Sequence, residues 1–207
     1  MLANIFLACS FLSKLFPILL LPVFLRGSRR PTWAKALAFA GVVVLGYVPF
    51  LSAGPRLLQG LSDYAAGWEG NDSLFRLIRL AGNSKAQAEL VAGVLVLGFV
   101  ALALRKRLEA LPAGLLVLSG LLFLSPNAFP WYFTWIVPFL CFRASAPLLL
   151  MSVTCALGYA PVVAYAAGQP YHDAPWLLAL EYLPVYAWLA WEGWGSLRSQ
   201  GSSAGAV

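Results

Sequence analysis

Lys14 stands inside an otherwise apolar run from Ile5 to Leu25, with Pro17 and Pro22 beyond it. An ionisable group at that depth is expensive to bury, which makes it a functional candidate, able to pair with the phosphate of a lipid that enters between helices. Snorkelling of its long side chain along a polar groove is the other reading. A second concentration of chemistry lies between Ser52 and Glu89, where Asp63, Tyr64, Trp68, Glu69, Asn71 and Asp72 are followed by Arg76 and Arg79. Carboxylates and amides hydrogen-bond hydroxyls, and Trp and Tyr offer flat faces to the apolar side of a sugar ring. The same stretch also reads as a solvated loop whose Asn71-Asp72-Ser73 caps a helix beginning near Leu74. A third segment, Ser125-Pro126-Asn127-Ala128-Phe129-Pro130-Trp131-Tyr132, breaks an apolar run. Its two prolines cannot stay in a hydrogen-bonded helix, so it either lines a watery cavity or forms a turn with a Trp-Tyr interface belt.

Other chemistries are missing. His172-Asp173 is one His beside one Asp, neither a triad nor a metal site, and reads as a surface pair. Glu181 and Glu192 sit near opposite ends of the last apolar run and read as structural. Cys9, Cys141 and Cys155 are widely separated and read as small core residues, with neither disulfide nor metal spacing. The chain has no P-loop, no Gly-rich dinucleotide turn and no His-Glu-x-x-His. No metal and no cofactor is expected. Ion-coupled transporters carry acids in mid-span, and only Lys14 is charged there.

The elements that must position these groups are membrane helices. Of the 207 residues, 61% are hydrophobic and 11% charged, against roughly 45–50% and about 25% in soluble domains. A polytopic, all-α transmembrane bundle follows, because a soluble globule would place the apolar excess in water. The spans read as Ile5–Leu25, Trp33–Leu51, Glu89–Leu104, two short helices within 110–142 that meet at the Pro-rich turn, Ala144–Ala167 and Pro175–Trp194, about seven in all. Residues 1–195 form one membrane domain, with an outer loop at 52–89 that carries interfacial helices around Leu57–Leu61 and Leu74–Leu80. Residues 196–207 read as a disordered cytoplasmic tail. The formal charge of +6 gathers at span ends, in Arg26, Arg29, Arg30 and Lys35 and again in Arg105-Lys106-Arg107. This is the positive-inside pattern and gives no sign of nucleic-acid binding. It places the C-terminus in the cytoplasm and the Ser52–Glu89 loop outside.

Three stretches together carry a resemblance. Lys14-Leu-Phe-Pro17-Ile-Leu-Leu-Leu-Pro22 before a basic turn, Trp68-Glu-Gly-Asn71-Asp72-Ser73-Leu-Phe-Arg76, and Ser125-Pro126…Pro130-Trp131-Tyr132 with Trp135 and Pro138 resemble the GT-C superfamily of membrane glycosyltransferases. The likeness is to the C-terminal portion of glycosyltransferase family 87, the polyprenol-phosphate-dependent mannosyltransferase-like proteins. It implies inverting transfer of a hexose, typically mannose, from a polyprenyl-phosphate donor to an acceptor hydroxyl at the outer face of a bacterial inner membrane. On that footing Lys14, Arg76 and Arg79 are candidate contacts to the donor phosphate. Asp63, Tyr64, Trp68, Asn71, Asp72, Trp131 and Tyr132 are candidates for the sugar or acceptor cavity. The family's general base is an acid in an earlier outer loop. The chain starts at what would be a mid-protein span, so that base is expected to be absent here and supplied by a missing N-terminal half or a partner subunit. Phe129 stands where some relatives carry His before the Pro-Trp-Tyr. The alternative is a non-catalytic membrane subunit that binds or handles a polyprenyl lipid.

Overall fold

In the computed structural model, which describes residues 1–26 and 30–204 with side chains as far as Gly195, the N-terminal apolar run is not one helix. Helix α1 (Leu2–Ser13) stops at Lys14, whose backbone is extended at φ −153°, ψ 132°. The chain then continues through a 3-10 turn (Phe16–Leu20) into α2 (Leu21–Leu25), with Pro17 and Pro22 each at the first turn of its element, where a proline costs no hydrogen bond. These helices fold back on α1: Ala3 shares a cavity wall with Phe24 and Ser10 with Pro17, and Leu7, Leu20 and Val23 share one core cluster. The expected single crossing Ile5–Leu25 is therefore a hairpin, and Lys14 is its tip. Apolar length alone cannot separate one long helix from two short ones that reverse.

Helix α3 (Thr32–Tyr47) packs along α1, with Phe11 and Phe39 ring centroids 5.8 Å apart. A 3-10 stretch (Val48–Leu58) turns at Gly54, whose φ of +53° suits glycine, and leads to α4 (Gln59–Gly67) and α5 (Leu74–Leu80). Helix α6 (Lys85–Arg105) opens with a capping box: Ser84 Oγ accepts from Gln87 N, and Gln87 Oε1 accepts from Ser84 N. Its buried stripe of Ala88, Ala92, Val96, Val100 and Ala103 recurs every three to four residues and lies against α7 (Ala110–Leu124), the most buried helix of the bundle. A side-chain carbon at Gly120 would come within 2.4 Å of the Phe99 ring, so the close approach of α6 and α7 needs the glycine.

At Ser125–Phe129 the chain turns, as Pro126 and Pro130 predict. It returns through a 3-10 turn (Pro130–Trp135) and α8 (Val137–Leu140), where the Phe139 ring fills the space left by Gly114. Helices α9 (Ala146–Thr154) and α10 (Tyr159–Ala166) are joined by a 3-10 kink at Cys155–Gly158. Helix α11 (Pro175–Ala204) completes the bundle with Pro184 inside it. It runs through the expected tail as far as Ala204; residues 205–207 lie outside the described set, as does Arg29 of the first basic cluster. Cys155 is buried, whereas Cys9 and Cys141 lie at the surface, contrary to their reading as core.

The chain is thus all-helical, with three helical stretches long and apolar enough to cross a membrane: Thr32–Gly67, Lys85–Arg105 and Ala146–Ala166. Their outward faces are apolar. Leu45, Leu90, Val94, Leu97 and Val153 stand well exposed, a surface suited to lipid and not to water. The bundle has two ends. One gathers Lys14, the 48–84 connection, the Ser125–Phe129 turn and the 167–174 loop. The other gathers Arg26, Lys35 and Arg105-Lys106-Arg107, where the Arg26 guanidinium donates to the carbonyls of Leu104 and Ala103 at 2.6 and 3.3 Å.

Candidate functional site

The loop end is built around a strap, Gly70–Ser73. Gly70 forms an isolated parallel bridge with Asn127: its N–H donates to Pro126 O at 2.9 Å, and its carbonyl accepts from Ala128 N at 3.2 Å. A side chain at Gly70 would strike the Tyr171 ring at 2.7 Å. The Asn127 amide donates to Trp68 O at 3.0 Å. Lys85 donates to the carbonyls of Ala65, Ala66 and Trp68, a cation closing the C-terminus of α4. The tryptophan loop and the Pro-rich turn, far apart in sequence, therefore meet edge to edge.

Beyond the bridge the strap is almost wholly buried. Asn71, at φ +52°, donates its backbone N–H to Asp173 Oδ2 at 2.7 Å. Its side-chain amide donates to Ala128 O at 2.7 Å, Glu181 Oε1 at 3.0 Å and Tyr182 Oη at 3.3 Å, while Tyr182 donates back to Asn71 O at 2.9 Å. Asp72 is 1% exposed. Arg76 bridges Asp72 at 3.0 Å and Asp173 at 3.3 Å, and Tyr171 donates to Asp173 Oδ1 at 2.8 Å. Burial raises the Asp72 carboxyl above its ordinary pKa even though Arg76 acts in the opposite direction. Ser73 occupies the N-cap position of α5 without capping it. Its hydroxyl instead meets Tyr186 Oη at 2.7 Å and Phe123 O at 3.2 Å.

Two cavities flank the strap. The larger, about 550 Å³, is lined by Lys14, Tyr64, Glu89, Ser125, Tyr132 and Trp135, with Phe16, Leu61, Leu121 and Leu122 as apolar wall. Lys14 Nζ lies 5.8 Å from the Tyr132 ring centroid and 6.0 Å from that of Trp135, within reach of a cation–π attraction. Among the described residues no carboxylate is within ion-pair distance of it. Glu89, the carboxylate on this wall, pairs with Lys85 at 3.7 Å. The smaller cavity, about 310 Å³, has walls of Trp68, Phe129, Trp131, Tyr165 and Tyr171. Tyr64 and Tyr132 line both cavities, and their hydroxyls meet at 2.7 Å.

The structure thus brings Lys14, Tyr64, Trp68, Trp131 and Tyr132 around two adjoining cavities. It does not bring the other candidates there. Asn71 and Asp72 lie in the buried network, Arg76 is held between two aspartates, and Arg79 pairs with Glu69 at 3.6 Å and donates to Asn83 O at 2.8 Å. Asp63 is exposed and lines neither cavity. Asp173, read from sequence as part of a surface pair, is 5% exposed, and Glu181, read as structural, is 0% exposed; both anchor the strap. Nothing local signals that role, because their partners lie about a hundred residues away. No group of three or more His, Cys, Asp or Glu able to hold a metal occurs among the described residues. No protein-family model, curated protein or solved structure matches the chain.

Proposed function

We propose that this chain is a membrane glycosyltransferase of GT-C type, or the C-terminal part of one, that binds a polyprenyl-phosphate sugar at its loop end. The observation that carries the proposal is an unpaired lysine on the wall of an apolar cavity that adjoins an aromatic one. Lys14 meets the donor phosphate, the apolar wall takes the first isoprene units, and Trp68 and Trp131 face the hexose. The acceptor hydroxyl oxygen attacks the anomeric carbon from the side opposite the phosphate. The carbon–oxygen bond to the phosphate breaks with inversion, and Lys14 stabilises the charge left on the departing phosphate. The acceptor's proton needs a base, and the resemblance puts that base in an earlier outer loop; the roles assigned to this chain are donor binding and leaving-group stabilisation. The basic end faces the cytoplasm under the positive-inside rule. Counting the Lys14 hairpin as two passes adds one to the expected seven.

A second reading, a polyprenyl-lipid-handling protein without transfer, is favoured by Glu89, the cavity's carboxylate, being paired with Lys85. Purified protein incubated with labelled mannosyl-phosphoryl-polyprenol and an acceptor glycolipid separates the two. Release of polyprenyl phosphate with labelled product supports the enzyme. Without release, tighter binding of mannosyl-phosphoryl-polyprenol than of sugar-free polyprenyl phosphate supports the donor-binding part of an enzyme whose base lies elsewhere, and equal binding of the two supports lipid handling. Absence of binding overturns both.

A further inference from the structure

The end of the bundle opposite the strap holds a cavity of about 910 Å³ that the proposed transfer does not use. Its walls come from the first turns of α1, α3 and α7 and the last turns of α2 and α6, and they present Arg26, Lys35 and Arg107 against one carboxylate, Glu109. Lys35 is 2% exposed, and its ammonium donates to Leu25 O. Among the described residues none of the three cations has a carboxylate within ion-pair distance. The Leu25 carbonyl is the acceptor of this ammonium among the described residues. Asn4, also 2% exposed, lines the same cavity with its Oδ1 unpartnered, as is the Arg26 Nε.

Arg107 adds a separate argument. It sits at φ +51°, where Arg107 N bonds Leu104 O and Leu108 N bonds Ala103 O. This is the Schellman closure of α6, at whose left-handed position glycine is usual and any residue with a side chain is disfavoured. An arginine there is poorer for the backbone than glycine, and its charge lines the cavity.

We propose that this cavity is a binding site for an anionic phosphate group, the headgroup of an acidic membrane lipid or a free phosphate. Three cations at the ends of membrane helices form the kind of basic pocket that takes acidic lipid headgroups. The start of α7, with no side-chain cap, offers free N–H groups to the same anion.

The full chain, purified in detergent, is loaded with phosphatidic acid or with phosphatidylcholine, and retained lipid is counted by native mass spectrometry. Phosphatidic acid is retained preferentially. Arg107→Gly weakens retention by about fivefold, the worth of one basic group near an anionic surface, and it relieves the backbone, so its unfolding midpoint without lipid does not fall. Lys35→Gln weakens retention at least as much, and Arg143→Gln, a cation outside the cavity, leaves it unchanged. Competition by millimolar inorganic phosphate assigns the site to free phosphate, and resistance to it assigns the site to the lipid headgroup. Equal retention of phosphatidylcholine, or retention by Arg107→Gly equal to that of the unaltered chain, overturns the proposal. Neither result bears on transfer at the loop end.

Discussion

The strap and the Lys14 cavity lie near one another at the loop end, yet they use their polar groups in opposite ways. Asp173, Glu181 and Tyr182 are joined through Asn71, all shut away from solvent, and Arg76 holds Asp72 and Asp173, while among the described residues Asn71 Oδ1, Asp72 Oδ2 and Glu181 Oε2 have no partner. Lys14, Tyr64 and Tyr132 face open volume, and the lysine lies near the Tyr132 and Trp135 rings with no carboxylate at ion-pair distance among the described residues. Buried polar groups bonded across the fold hold a shape. Polar groups left facing a cavity are available to a ligand. Tyr64 and Asn71 stand seven positions apart and fall on opposite sides of this division, which residue type alone conceals.

Asn71→Ala should produce the largest effect. It strands the Glu181 and Ala128 oxygens in the core and costs about 3 kcal/mol of stability, read as a fall in the thermal unfolding midpoint in detergent. If that variant keeps its midpoint and loses polyprenyl-phosphate binding instead, the strap belongs to the site and the comparison breaks. Gly158→Ala comes next: the added carbon would stand 2.8 Å from the Asn71 amide, and overpacking of this kind costs about 2 kcal/mol by the same measurement. Lys14→Gln is expected to leave the midpoint within about 0.5 kcal/mol and to weaken polyprenyl-phosphate binding about tenfold, one charge-assisted hydrogen bond, measured by lipid titration. A matching loss of stability would mean that Lys14 is structural.

Two smaller effects sharpen the division. Because burial raises the Asp72 carboxyl, the folded state binds that proton more tightly than the unfolded one. The stability it contributes is full below the ordinary carboxylate range, near pH 4, and declines as pH rises through the raised value. Asp72→Asn should flatten that decline in a series of unfolding midpoints between pH 4 and 7. Tyr64→Phe leaves the half-buried Tyr132 hydroxyl without its partner and should cost about 0.5–1 kcal/mol, the least of the set.

Much of this plan is legible in the amino-acid sequence. The apolar excess dictates a helical membrane bundle, and Pro126 and Pro130 mark the turn that the tryptophan loop later meets. Lys14 stands out because charge is rare in such runs. The hairpin at Lys14 is not legible, since residues 5–25 have the length of one crossing and only packing of Leu7 on Leu20 and Val23 reveals the reversal. Nor are the anchors of the strap. Asp173 and Glu181 find Asn71 across the fold, and a capping signal at Ser73 masks its bond to Tyr186. Residue type shows what a group can do; whether its capacity is already used depends on partners that sequence proximity does not supply.

Four 3-10 stretches occur among the described residues, Phe16–Leu20, Val48–Leu58, Pro130–Trp135 and Cys155–Gly158; Phe16 and Tyr132 line the Lys14 cavity, and Gly158 lies against Asn71 of the strap. Such turns have poorer hydrogen-bond geometry than α-helix and mark hinges. Amide exchange should therefore be graded along the molecule: slow through the buried stripe of α6 and the body of α7, and faster at these turns, where opening requires less free energy. The protein would then yield most readily at these turns while the helices between them keep their places.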